Sequence, residues 1–583
     1  MSSKILKIAI TRFRGIESLT WCPTANLNLI LGGGDTGKTT VLDAINMLFS
    51  PATSLAVSET DYWMRDVSSG FSIDCVVQLG ADIDVNTQSH MAYPWHWNGT
   101  DAVLPDADGE AAENDEVYKF RFSGNEQQEA FWEVVQPDES TIRFSVGLRR
   151  QIGLISLPSD DRNDKDLRLV YGSALDRHLG DASLRSRIGR RVAALNLQEE
   201  LDDEGKEALS QLDARFRTKA LPTGISMGIV SSQGVSIGSL VGLLAAKSEG
   251  TNLPISAWGA GTRRLASLEI GTAKETHPSL ATIDEIERGL EPYRLRQLLR
   301  TICEQDNQVF ITTHSPVAIS CAQEASLWYM DSSNRLGALQ SDLVSTQQKN
   351  DPETFLARVA VIAEGLTEVG FLEAILTKAL GFPPLDHGIR VCNGQGNDHT
   401  LRLLRALSES GLKFAGLADN EGRDEGRWTA LKATMGDLLL QWNEGCTEDA
   451  VISAIQDNRI PELIGAGGGP KLGIRLRHLQ VRCGAEERTL NSIQAKLNES
   501  GKTLKQLVIE AASGNNEDAP EGDQNAWKSQ SRDWFKSQLG GSELAEKAID
   551  LGAWDELSPR LLPFINAIIG TLDLQVVENF PNV

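Results

Sequence analysis

Cysteine is scarce and unpaired in its pattern. The 583-residue chain has seven, Cys22, Cys75, Cys303, Cys321, Cys392, Cys446 and Cys483, an odd number with no CxxC spacing. Neither a disulfide framework nor a cysteine zinc site is indicated. Long apolar runs are missing too: nothing approaches the roughly 18 consecutive apolar residues of a membrane helix. The opening MSSKILKIAITRFRG puts charges where a signal peptide needs its apolar region, so a cytoplasmic protein with no membrane association is expected. Positive charge is in deficit, 56 Lys and Arg against 80 Asp and Glu, for a formal net charge of −24. Broad attraction to nucleic acid is thereby disfavoured, and phosphate contact would need local basic surface such as RSRIGRR (185–191) or RLRH (475–478).

What is present is enough for more than one core, because single cores stop growing near about 250–300 residues. Residues 4–10 and 27–31 read as strands, the second leading through a glycine-rich turn into the apolar helix VLDAINMLF (41–49). The polar, acidic stretch 82–116 reads as an exposed insertion or long hairpin. Leu175, Leu179, Leu184, Ile188, Val192, Leu195, Leu197 and Leu201 recur at helical spacing and predict a helical arm over 174–218. The runs SLATI (279–283), QVFITT (308–313) and LWYMD (327–331) fit βαβ packing on a parallel sheet, and the polar run 341–354 reads as a linker. VAVIA (359–363), IRVC (389–392) and FAGLA (414–418) begin a second α/β unit, which turns mostly helical beyond about 430.

The chemistry starts at GGGDTGKT (32–39), which matches G-x-x-x-x-G-K-[ST] between a strand and a helix. Gly32, Gly33, Gly34, Asp35, Thr36, Gly37 and Thr40 would cradle the phosphates of ATP with their backbone amides. Lys38 would reach the β- and γ-phosphates, and Thr39 would offer its hydroxyl to Mg²⁺. In TIDEIE (282–287), Asp284 at a strand end would hold Mg²⁺ indirectly and Glu285 would polarise the attacking water. His314, just past QVFITT, is placed to meet a γ-phosphate.

Carboxylates gather again in the second half. In VAVIAEGLTEVGFL (359–372) a strand ends at Glu364, and Glu368 follows four residues later, on the same helix face. NGQGND (393–398) forms a glycine turn after the next strand, and Asp419 and Glu421 follow FAGLA directly. Such clusters at the carboxyl ends of parallel strands suit hard Mg²⁺ or Mn²⁺.

This order of elements resembles the ATPase heads of the structural-maintenance-of-chromosomes and RecF type, and more closely the OLD (overcoming lysogenisation defect) nuclease family. KIAITRFRGIESL (7–19), with Arg14, is similar to that family as well. The resemblance implies an α/β fold: an N-terminal ABC-type P-loop ATPase over 1–345 with the inserted arm 174–218 as dimerisation element, and a C-terminal Toprim domain with helical extension over 355–583. It implies that SAWGAGTRR (256–264), through Ser256, Gly259 and Gly261, acts as a signature reaching a partner copy's nucleotide, hence a homodimer or higher oligomer. It also implies a catalytic lysine in the extension, Lys536 first and Lys528 second. Toprim domains usually carry D-x-D where this chain has Asp419-Asn420-Glu421, with Asp424 and Glu425 as possible additional ligands.

The function so implied is an ATP-binding, metal-dependent DNA endonuclease, acting in anti-phage defence or DNA processing, sometimes beside a helicase partner. The alternative is a DNA-binding ATPase with a degenerate Toprim scaffold. Topoisomerase action would need a nucleophilic tyrosine, and the six tyrosines end at Tyr329, before the carboxylates begin.

Overall fold

A computed structural model describes the chain except for residues 1, 87–90, 105–115, 160–164, 171–172, 182, 194–200, 219–223, 225–240, 249–250, 273–278, 305, 340, 409, 421, 466–467 and 579–583. It divides into two units, Met1–Asn28 with Thr39–Thr313, and Leu29–Lys38 with His314–Val583.

In the first unit, alternating burial makes half-buried strands of an antiparallel sheet, in the order Ile16–Trp21, Lys4–Phe13, Phe71–Gln78, Glu116–Gly124. Ile8, Ile10, Ile73, Phe120 and Phe122 fill its inner face, with Phe120 stacked on Phe144 at 4.2 Å between centroids. Of the two readings of 82–116, the hairpin holds for Trp95–Trp97 and Ala102–Val103, which pair antiparallel and join the sheet, and Trp95 Nε1 donates to Val135 O at 2.8 Å. Its segments 87–90 and 105–115 lie outside the described residues.

Strands Leu154–Leu157, Leu280–Ile283 and Gln308–Thr312 pair in parallel, the last two buried at every position. Continuous apolar runs of this kind cannot leave one face in water. Helices Ala174–Leu179, Leu184–Ala193 and Asp203–Thr218 run through the segment expected to be an arm, with Leu195 and Leu197 outside the described residues.

In the second unit, strand Ser326–Met330 turns back as an antiparallel hairpin with Leu336–Leu339, which the reading of a parallel sheet omits. The polar run taken for a linker is the helix Ser341–Asn350 followed by the turn Pro352–Leu356. Gln347 and Gln348 are fully buried, Gln347 Nε2 donating to Thr354 Oγ1 at 2.7 Å and Gln348 Nε2 to Ile319 O and Ala322 O at 2.8 Å. Polar side chains whose donors are satisfied can lie in a core, so composition misleads here.

Four parallel strands follow, in the order Ile389–Asn393, Val359–Ala363, Phe414–Ala418, Leu439–Gln441. Their carboxyl ends therefore share one edge. Helices from Thr447–Ala454 to Trp554–Gly570 bury a large apolar core with this sheet. Helices Leu366–Leu380 and Gln538–Asp550 meet backbone to backbone: a Cβ on Gly541 would stand 2.0 Å from Thr367 O, and one on Gly370 1.8 Å from Gln538 O. Gly541→Ala is therefore expected to cost about 1–3 kcal/mol or more by overpacking. A thermal midpoint equal to wild type would show that the helices separate freely.

Candidate active site

Strand Leu27–Gly32 feeds the phosphate loop, and helix Lys38–Leu48 begins at its lysine. Gly32 has φ +150°, and a Cβ there would lie 2.5 Å from Met330 O, so only glycine fits. Asp35 takes φ +57°, and Thr36 Oγ1 donates to Gly33 O at 3.1 Å. Lys38 is buried and folds over the loop, donating Nζ to Gly32 O at 3.1 Å and to Gly33 O at 2.6 Å. These carbonyls stand in for the phosphate oxygens that a P-loop lysine grips.

In the first unit, Asp284 is buried just past Leu280–Ile283. It accepts Thr39 Oγ1 at 3.2 Å on either oxygen and Thr312 Oγ1 at 2.5 Å. Thr39 and Asp284 are thus in contact, the pairing that phosphoryl-transfer enzymes use to hold Mg²⁺. Glu285 has φ +47°, a strained conformation for a non-glycine residue, and its amide donates to Thr312 Oγ1 at 2.8 Å. Its carboxylate reaches the surface, 3.3 Å from Arg288. Ser256 lies in the short turn Ile255–Ala257, Gly259 precedes helix Ala260–Thr272, and Gly261 is its second residue. Gly261 also has a local packing reason, since a Cβ would stand 2.0 Å from Gly289 O. Arg264 of the same helix hydrogen-bonds the carbonyl of Asp284. In the second unit, His314 is exposed.

The carboxylates of the second half converge along the shared edge of the parallel sheet. Glu364 N donates to Leu417 O at 3.0 Å, and Glu364 Oε2 accepts Asp419 N at 3.1 Å, which ties two strand ends together. Glu368 is 3 % exposed, with Oε1 buried and without a hydrogen-bond partner. Asp419 Oδ1 accepts Thr447 N at 3.0 Å and Thr447 Oγ1 at 3.2 Å. Glu448, fully buried, accepts Thr367 Oγ1 at 3.0 Å, and its other oxygen lies 3.4 Å from Lys536 Nζ.

Burial, then repulsion from Glu368, Glu364 and Glu448, pushes the Asp419 carboxyl up to about 9. Glu368 is raised too, by burial and then by Glu448. Burial works against the Lys536 ammonium, yet the surrounding Glu448, Cys446, Glu368 and Asp419 hold it above the ordinary lysine range. Desolvated like charges facing one cation are a common signature of a functional site.

Residues 27–320 match the family model described as "AAA domain, putative AbiEii toxin, Type IV TA system", and residues 355–420 match "Overcoming lysogenization defect protein-like, TOPRIM domain". The two matches together are those of an OLD-family ATPase–Toprim fusion. The chain's architecture is the expected one, an N-terminal ATPase domain and a C-terminal Toprim domain followed by helices. None of the curated proteins compared matches it. Among solved structures, an SMC head bound to the C-winged helix domain of ScpA is 14% identical, covering 58% of this chain and 98% of its own, with TM-score 0.33. The SMC head domain from Thermotoga maritima is 11% identical over 56% of this chain and 94% of its own, TM-score 0.26. The recombination mediator protein RecF is 14% identical over 58% of this chain and 98% of its own, TM-score 0.30.

Within this OLD-family Toprim domain the structure gathers Glu364, Glu368, Asp419 and Lys536. Glu421 lies outside the described residues. Asp424, at φ +52°, is engaged with Arg427 at 3.3 Å, and Glu425 opens the exposed start of helix Glu425–Met435. Lys528 is exposed in helix Gln524–Gln530. Sequence reasoning missed Glu448. Its signal was available: the acidic run CTED follows the fourth parallel strand, as the other carboxylates follow theirs.

Among the described residues no three His, Cys, Asp or Glu side chains converge closely enough, as they stand, to hold an ion. The donor set nevertheless suits a hard divalent cation. Glu448, Glu368 and Asp419 surround one ammonium, Glu364 adjoins Asp419, and Glu368 Oε1 and Glu448 Oε2 are buried without a hydrogen bond. Among the described residues no helix is long and apolar enough to cross a membrane, and no disulfide joins any of the cysteines.

Proposed function

We propose that this OLD-family protein is a divalent-metal-dependent DNA endonuclease, nicking or cleaving DNA in anti-phage defence or DNA processing. The observation that carries the reading is the buried trio Glu368, Asp419 and Glu448 beside Lys536, with the half-buried Glu364 set against Asp419. These carboxylates, with Glu421 a further candidate, would hold Mg²⁺ or Mn²⁺. Bound there, the ion supplies the charge that makes water nucleophilic at neutral pH and steadies the phosphoryl oxygens. Lys536 meets the negative charge that builds on the phosphate while the water oxygen bonds to phosphorus and the bond to the leaving oxygen breaks.

The ATPase half belongs to the same proposal. Gly32–Thr40 would bind ATP, Thr39 and Asp284 its Mg²⁺, Glu285 the attacking water and His314 the γ-phosphate. Ser256, Gly259 and Gly261 would complete the site of a second copy, giving a homodimer with further contacts at 174–218. Domain limits of 1–345 and 355–583 and a cytoplasmic location are part of this reading. No described residue argues for a helicase partner.

Asp419 gives a pH test. A carboxyl raised to about 9 is protonated in the metal-free fold but ionised in the unfolded chain from about pH 4 upward. The metal-free fold therefore loses stability from this group as pH rises through that window, and an entering ion must displace the proton. Mn²⁺ is expected to bind about tenfold tighter per pH unit between about pH 6 and 8, releasing roughly one proton. Calorimetry in buffers of different ionisation enthalpy measures both, and an affinity independent of pH would contradict the assignment.

A second reading is a DNA-binding ATPase whose Toprim domain is a scaffold. What favours it is that Asp419 is already engaged by Thr447. Supercoiled plasmid with Mg²⁺ or Mn²⁺ separates the two, because the scaffold yields no cut product.

A further inference from the structure

Arg475, in helix Leu472–Cys483, is 2 % exposed. Burying a guanidinium is costly, and a buried ion pair alone is weak evidence of stabilisation. Its contacts suggest another purpose. Nη1 donates to Leu463 O at 3.1 Å, and Nη2 donates to Glu543 Oε1 at 2.7 Å and to Trp534 O at 3.4 Å. The guanidinium carbon stands 5.1 Å from the Trp534 ring centroid and 4.9 Å from that of Phe535. Those two rings are fully buried and immediately precede Lys536.

The same turn is held from the opposite side. Phe535 O accepts Thr367 Oγ1 at 3.1 Å, and that hydroxyl also lies 3.0 Å from Glu448 Oε1. Within the turn, Lys536 N donates to Ser531 O at 3.2 Å and Ser537 N to Phe535 O at 2.7 Å. Lys536 thus leaves a backbone gripped on two sides, and its ammonium stands 3.4 Å from Glu448 Oε2. A lysine is a flexible point charge, and its precision has to come from what holds its backbone.

We propose that Arg475 is a positioning residue, which locks the Trp534–Phe535 pair so that Lys536 is delivered to Glu448, Glu368 and Asp419. This rests on the reading of Lys536 as the cation that faces the phosphate. A core arginine that only packs would affect stability; a positioning arginine also moves Lys536.

The test uses the full chain with Arg475→Met, Lys536→Met and the double substitution. Acetic anhydride labelling of Lys536, scored by mass spectrometry against exposed Lys528, is expected to be about tenfold faster in Arg475→Met, because the ammonium leaves its carboxylates. Mn²⁺-supported plasmid nicking is expected to fall about 10²-fold, the scale of a misplaced reacting group, with Mn²⁺ affinity unchanged. The double variant is expected to be no slower than Lys536→Met, since residues acting through one another are not additive. Wild-type labelling of Lys536 in Arg475→Met, or losses that multiply in the double variant, overturn the proposal. Full nicking by Lys536→Met sinks the reading of Lys536, and this role for Arg475 with it, a result distinct from the other two. If Arg475→Met does not fold, Glu543→Gln removes the same anchor from a partner that is 28 % exposed, with the same shifts expected in smaller size.

Discussion

Glu364→Ala is expected to slow metal-dependent nicking of supercoiled plasmid by about 10³-fold or more, on the scale of losing a group that holds the catalytic charge. Two things go at once. The variant lacks one of four carboxylates at the shared strand edge, and Asp419 N loses the acceptor 3.1 Å away that fixes its strand end. The fold should survive, because a single hydrogen bond contributes only about 0.5–1.5 kcal/mol and strand Val359–Ala363 keeps its parallel neighbours. ATP affinity, followed with a fluorescent analogue, should match wild type. A parallel loss of ATP binding would indicate general misfolding, and undiminished nicking would remove Glu364 from the mechanism.

Lys38→Met is expected to weaken ATP binding by roughly 10–10²-fold, the equivalent of about 1.5–3 kcal/mol for hydrogen bonds from a charged donor. Lys38 Nζ donates to Gly32 O and Gly33 O. Phosphate oxygens would replace neutral carbonyls with charged acceptors, which is where the affinity arises. Nicking measured without ATP should not change, since the carboxylate cluster lies on other elements. Equilibrium titration with a labelled ATP analogue checks this, and wild-type affinity would mean that the loop does not bind phosphate as its sequence indicates.

The most legible features were those whose residues are close in sequence. Gly32–Thr39 is contiguous, and its strand and helix flank it directly. Glu364 and Glu368 share one strand-to-helix junction, but the helix starts at Leu366, so Glu364 is placed by its strand end and not by the helical spacing expected of the pair. Lys536 entered through family resemblance, because nothing in WFKS announces that Thr367 and Arg475 hold that turn from two other helices. Glu448, in the first turn of helix Thr447–Ala454, was missed because the strand before it, Leu439–Gln441, is only three residues long and polar sequence separates the two. Gln347 and Gln348 misled in the opposite sense: their amide nitrogens find acceptors inside the core, while hydropathy counts them as surface. Trp95 shows the limit for acidic, turn-rich stretches, where one buried aromatic ring can attach to a sheet a segment that composition places outside it.

The most direct measurement is the fate of supercoiled plasmid incubated with the purified full chain in Mg²⁺, in Mn²⁺ and in EDTA, each with and without ATP. A metal-dependent endonuclease gives open-circular or linear product in at least one metal and none in EDTA, and Glu364→Ala gives none throughout. Plasmid left supercoiled in both metals while Mn²⁺ binds the protein, or cutting that persists in EDTA, would contradict it.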